Sequence, residues 1–227
     1  MSRGNRGRSA GLQTAARKRL ALRVLKLLEI GAGGKAIGQR AGEFVRRLGS
    51  CADFRRAILR YVNRRGVRGV GAPFKAIACA AGDRDRNAAN DFQFDVHALP
   101  LRGCGVHLVV AIGPRQYGFR NEETARMFLR EVARVLTIGG ELLVLGTYVN
   151  PWFNFDLGSR GGRRRVGAIA RIAGLRLVNY LMPLGRHPIA RVLRQRNKQL
   201  VQHRTDGRRL RPPSYLHRFV KAPRRPA

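Results

Sequence analysis

Glu29 stands at the lip of a glycine turn: Leu25-Lys26-Leu27-Leu28-Glu29-Ile30 is an apolar run of strand character, and Gly31-Ala32-Gly33-Gly34 comes directly after it. Residues of these types in this order can hold a ligand against bare backbone. Gly31 and Gly33 have no Cβ and can take positive φ, so the chain can turn sharply and expose its peptide groups, while the Glu29 carboxylate can accept hydrogen bonds from ligand donors. An ordinary tight turn after a strand uses the same glycines, so the loop takes its meaning from the downstream segments.

Four such segments occur in order. Asp91 to Pro100 reads DFQFDVHALP, Val106 to Ile112 reads VHLVVAI, Phe128 to Leu136 reads FLREVARVL, and Thr137 to Tyr148 reads TIGGELLVLGTY. With the loop, they resemble the class I S-adenosylmethionine-dependent methyltransferases, in particular the branch with an E-x-G-x-G loop, a D-x-x-x-L-P segment and a helix ending R-V-L before a Gly-Gly-led strand. The resemblance runs from about Leu25 to Tyr148 and thins out after Asn150.

It implies S-adenosyl-L-methionine as cofactor. Glu29, Gly31, Ala32 and Gly33 would hold its methionine portion. Asp83 would accept from both vicinal ribose hydroxyls, or else it is a turn residue in Gly82-Asp83-Arg84-Asp85. Asp95, with Val96 and His97, would lie beside the adenine, its carboxylate accepting from the exocyclic amine; the plainer readings are a strand-end cap or an arginine partner. Ile112 and Gly113 would line the cofactor. For the acceptor, Tyr117 could touch substrate or pack, and Tyr148 with Trp152, Phe153 and Phe155 could stack on a planar or sugar-like group or plug the sheet. His97 and His107 sit in no nucleophile or metal motif and read as structural. The reaction so implied is in-line methyl transfer, which can rest on positioning alone, so no catalytic residue is singled out.

The chain of 227 residues, 44% hydrophobic, can bury one core. No apolar run approaches the length of about 20 residues that a membrane-spanning helix needs. Cys51, Cys79 and Cys104 are far apart and form no C-x-x-C pair, so neither a metal site nor a disulfide framework is expected, and a reducing, cytoplasmic location is. The charge is lopsided: 46 basic residues against 13 acidic give +33. Only six of the basic residues are lysine. Such a field attracts anionic partners, RNA among them, with steep salt dependence; an arginine-rich coding bias would produce the same composition without a role. Arg160-Gly161-Gly162-Arg163-Arg164-Arg165 resembles an RGG-like phosphate-binding run.

Alternating strand and helix patterns predict an α/β chain: a Rossmann-like, doubly wound, mainly parallel seven-stranded sheet with helices on both faces. Strands are expected at Leu25–Ile30, Phe74–Ala80, Phe92–Val96, Val106–Ile112 and Glu141–Thr147, with Gly174–Leu181 and Tyr215–Val220 as a closing antiparallel pair. Asn121 reads as the N-cap of a helix with Glu122 and Glu123 in its first turn. Met127, Phe128, Val132, Val135 and Leu136 give its apolar spacing, and Gly139-Gly140 its stop. Residues 1–16 read as a basic disordered tail and 222–227 as a second one. Residues 17–221 form the methyltransferase-like domain, and 35–73 a helical insertion with candidate helices at Gly38–Leu48 and Ala52–Tyr61.

Three positions depart from the family pattern: Lys35 in the glycine loop, where a lysine near a sulfonium would repel it, Val106-His107 in place of Phe-Asp, and Thr137-Ile138 ahead of Gly139-Gly140. The expected function is methyl transfer to a small-molecule, lipid or glycan-type acceptor. The alternatives are an RNA methyltransferase, or a degenerate fold that serves as a basic nucleic-acid-binding protein.

Overall fold

The computed structural model describes residues 23–30, 52–65, 73–83, 92–112, 119, 121–146, 160–189 and 215–223 of the chain. The strands are β1 (Val24–Ile30), β2 (Ala76–Asp83), β3 (Phe92–Gln93), β4 (Val106–Ile112), β5 (Leu136–Gly146), β6 (Leu175–Pro183) and β7 (Tyr215–Lys221), and they lie in one sheet in the order β3-β2-β1-β4-β5-β7-β6. Pairs β3/β2, β2/β1, β1/β4 and β4/β5 are parallel, whereas β7 runs antiparallel to both β5 and β6.

The central strands are apolar at almost every position because both sheet faces are covered. Side chains alternate between faces along a strand. Leu25 and Leu27 of β1 join Ile77, Leu108, Val110, Leu143, Leu145 and Leu216 on one face, where Ile58, Tyr61 and Val62 of helix α1 (Ala52–Arg65) pack. Leu28 and Ile30 join Val109, Ala111, Leu142 and Val144 on the other. That face is covered by helices α2 (Glu122–Val135) and α3 (Arg160–Ile172). The helices thus cover both faces, in the doubly wound manner.

Local chemistry fixes each helix. In α2 the Asn121 side chain accepts from the Thr124 N–H at 2.9 Å, while the Thr124 hydroxyl accepts from the Asn121 N–H at 3.0 Å, a reciprocal cap that satisfies two end groups. Phe128, Leu129 and Val132 are fully buried; each such side chain contributes about 1.5–3 kcal/mol of apolar burial. The last turn of α1 is tied to the segment before β2 by Asn63, which donates to the Phe74 carbonyl and accepts from the Phe74 N–H, both at 2.9 Å. The Arg55 guanidinium also donates to the Ile77 carbonyl at 2.7 Å. α1 therefore runs antiparallel to β1 and β2, its last turn at their amino ends.

Several sequence expectations shift. Gly139-Gly140 does not stop α2: the helix ends at Val135, Leu136 is already extended, and β5 begins there, five residues ahead of its expected start. The glycines instead shape the entry of β5. Gly139 takes φ 76°, and a Cβ on Gly140 would come within 2.8 Å of the Thr137 carbonyl oxygen. Met127 is 46% exposed and contributes little to the core of α2. The RGG-like run is not an extended tail, since it forms the first turns of α3, with Val166, Ile169 and Ala170 supplying its buried stripe. β2 starts two residues late, and the expected Phe92–Val96 strand is reduced to Phe92–Gln93 followed by an Asp95–Ala98 bridge. The candidate helix at Gly38–Leu48 and both proposed tails lie outside the described residues, apart from Ala222 and Pro223.

Candidate active site

The order of strands reverses between β1 and β4, so the crevice beyond their carboxyl ends is where an open α/β sheet takes a ligand. Glu29 sits there. It is the penultimate residue of β1, level with Ala81 of β2 and Val110 of β4, and it is only 1% exposed. By strand alternation it shares the α1 face with Leu25 and Leu27. A carboxylate buried among apolar strands is costly unless it is hydrogen-bonded or paired, and this one stands at the switch point of the sheet.

Acidic residues are scarce, and their distribution is uneven. Of the 13, Glu29 is the last but one residue of β1, Asp83 ends β2, and Asp85, Asp91 and Asp95 come within a dozen residues of Asp83 in sequence. Asp83 pairs in register with Gln93 across the β2/β3 ladder, so its backbone lies at the same rim. Asp95 is two residues past β3. Its side chain is 64% exposed, and one oxygen accepts from the His97 N–H at 2.9 Å and lies 3.0 Å from His97 Nδ1. Asp95 is thus an Asx-type cap with a histidine partner rather than an arginine's counter-ion, and its outer oxygen remains available to a ligand. Val96 is buried, and His97 Nε2 is buried with no hydrogen-bond partner among the described residues. Together Asp95, Val96 and His97 form one turn beside β3, where strand was expected as far as Val96.

This turn is held from behind by a clamp that sequence reading missed. Glu131 accepts from the Leu99 N–H at 2.8 Å, while Arg134 donates to the carbonyls of Leu99 and Leu101, both at 2.8 Å, and pairs with Glu131. The Arg134 hydrogen bond holds the Glu131 carboxyl below its usual range. The only signal in the sequence was a Glu and an Arg at i, i+3 on the helix that also carries R-V-L.

His107 proves to be structural. Its Nδ1 accepts from the Lys26 N–H at 3.0 Å, and its ring meets Phe74 edge-on at 4.9 Å. Burial first, then Lys26 and Arg23, lower its pKa and keep the ring neutral, so it remains an acceptor. Ile112 ends β4 at the same rim. Gly31, Ala32, Gly33, Gly113, Tyr117, Tyr148 and Trp152, like Lys35, lie outside the described residues. Among the described residues no group of three or more His, Cys, Asp or Glu is placed to hold a metal ion, and no helix is long and apolar enough to cross a membrane. Cys79 and Cys104 are free thiols.

The strand order and the helices on both faces give a doubly wound, Rossmann-like sheet. Among solved structures the chain is similar to the aminoglycoside resistance methyltransferase NpmB1, with a TM-score of 0.52 at 12% identity over 92% of this chain and 93% of that one. It also aligns with a methyltransferase from the Haloferax volcanii complex with the Trm112 activator (TM-score 0.48, 14% identity, 95% and 90% covered) and with the antibiotic-resistance methyltransferase Kmr (0.47, 14%, 93% and 93%). At these identities the likeness is one of fold. No family model and no curated protein matches the chain.

Proposed function

We propose that the protein is an S-adenosylmethionine-dependent methyltransferase whose cofactor occupies the crevice beyond β1, β2 and β4. The observation that carries this reading is the buried Glu29 carboxylate at the switch point of a sheet with this strand order. In this reading Glu29 and the Gly31-Ala32-Gly33 backbone hold the cofactor's methionine end, Asp83 its ribose, and Asp95, Val96 and His97 its adenine, with Ile112 and Gly113 as the wall after β4. The residues fit the group chemically: carboxylates for its ammonium, hydroxyls and amine, and apolar strand ends for its rings. When bound, the cofactor supplies an electrophilic methyl on a sulfonium. The chain's part is to align acceptor and methyl and to exclude water, so no protein base is required.

The resemblance of the loop and of D-x-x-x-L-P favours a small-molecule, lipid or glycan acceptor, met by Tyr117, Tyr148 and Trp152, in a cytoplasmic setting. The arginine-rich exposed faces of α1 and α3 favour a second reading, an RNA acceptor. Titration calorimetry with S-adenosylmethionine and S-adenosylhomocysteine at high salt tests the common part. Saturable micromolar binding by the wild type, weakened at least tenfold in Glu29→Gln, is expected. No binding by the folded wild type would leave a degenerate fold with a basic surface.

A further inference from the structure

The outer face of α1 carries arginines in a regular row. Arg56, Arg60 and Arg64 are all exposed and stand at i, i+4 and i+8, about 6 Å apart along the axis. Like charges at this spacing repel one another across the helix surface. No acid stands three or four residues from Arg60 or Arg64 in sequence, and neither has an ion-pair or hydrogen-bond partner among the described residues. On α2 the same spacing recurs at Arg126, Arg130 and Arg134, but there Arg126 pairs with Glu122 and Arg134 with Glu131; Arg165 also takes Glu122, and Arg218 holds Glu141. The opposite face of α1 is sealed into the core by Ile58, Tyr61 and Val62, so the row cannot turn inward.

We propose that this row is a phosphate-contact track for a single-stranded nucleic acid, laid along α1 from the amino edge of the sheet toward the crevice at its carboxyl edge. Guanidinium forks match phosphate oxygens better than a point charge does, and the spacing offers one fork per helical turn. A lipid surface would require an apolar wedge beside the charges. The exposed large apolar side chains among the described residues are Val24, Met127, Ile138 and Ile172, none of them on α1. The antiparallel course of α1 points its first turn from the amino ends of the strands toward their carboxyl ends, and Arg55 of that turn bonds Ile77, the second residue of β2; a strand held by the row would run on past α1 to reach the crevice. That the bound strand is also the methyl acceptor rests on the methyltransferase reading; the track itself does not.

The test uses the full chain and a fluorescently labelled single-stranded RNA of about 20 nucleotides, with anisotropy read across a salt series. R60Q/R64Q is compared with R130Q/R171Q, which removes equal charge from exposed positions on the helices of the opposite face. R60Q/R64Q should weaken binding at least fivefold and flatten the slope of log K against log salt by about 1.4, at roughly 0.7 per lost phosphate contact. R130Q/R171Q should change the slope by less than half as much. Far-UV circular dichroism and melting should show both variants folded. Equal effects of the two pairs, or no effect of either, would overturn the track in favour of a diffuse field. So would Arg60- and Arg64-dependent binding to anionic phosphatidylserine vesicles that exceeds binding to RNA. Cofactor calorimetry on the same samples separates the two proposals: a wild type that binds RNA through the row but takes up no S-adenosylmethionine sinks the methyltransferase reading and leaves the track standing.

Discussion

The two edges of the sheet are built on opposite principles. From the amino ends to the middle of the sheet, polar groups are buried and closed upon one another. Glu141 of β5 accepts from the Tyr61 hydroxyl of α1 at 2.7 Å and from Arg218 of β7 at 2.9 Å, with both charged side chains at most one-tenth exposed. His107 accepts from β1, and Asn63 bonds Phe74 twice. At the carboxyl rim, Glu29 is buried near the end of β1 and Asp95 offers an oxygen to solvent. The first set of polar groups joins strands and helices, whereas Asp95 at the rim bonds only within its own turn. The same residue types also behave differently by depth. Glu122, exposed between Arg126 and Arg165, is held below its usual range chiefly by its hydrogen bond to Arg165, yet water screens that pair in a way it cannot screen Glu141.

The contrast can be broken first at Glu141. Glu141→Ala strands a buried guanidinium and a buried phenol, and should cost about 3–5 kcal/mol in chemical denaturation, whereas Glu122→Gln should leave the midpoint essentially unchanged. Comparable losses would erase the distinction. Acid is the second lever. His217 is buried in β7 with a pKa lowered to about 3 by desolvation, and burial with nearby cations lowers that of His107 too. Below about pH 6.5 the unfolded chain takes up protons that the folded chain refuses. Stability should therefore fall by up to about 1.4 kcal/mol per pH unit per histidine from pH 6.5 toward the folded pKa, and the slope measured in His217→Gln should be shallower by nearly one proton. Gly140→Ala, meeting the Thr137 carbonyl, should lose about 1–3 kcal/mol by thermal denaturation. Asp95→Ala marks the other edge: a stability change under about 1 kcal/mol, with cofactor affinity down at least tenfold by calorimetry. A large loss of stability with unchanged binding would reverse its role.

Sequence patterns gave good access to the regular elements because their physics is local. β4 falls at Val106–Ile112 as read, and Asn121 caps α2 as read. The end of α2 was misplaced because Gly139-Gly140 looks like a C-cap, while the decisive feature is nonlocal: Leu136 is already opposite Val106 in the sheet. α3 was missed because arginines and glycines mask a short apolar stripe. Near the crevice, the sequence placed Glu29 late in β1, where it lies, but put Asp83 just beyond β2, whereas the strand runs on to include it. The Glu141–Arg218–Tyr61 cluster was not, since Arg218 and Tyr61 stand 77 and 80 residues from Glu141 and only the β5/β7 ladder and the packing of α1 join them.

The clamp of Arg134 and Glu131 on Leu99 and Leu101 bears on the timing of assembly. The wall behind Asp95 and Val96 is fastened to α2 when the chain folds, so its ordering entropy is already lost before any ligand arrives. A molecule that meets Leu99 and Leu101 meets backbone already fastened to α2.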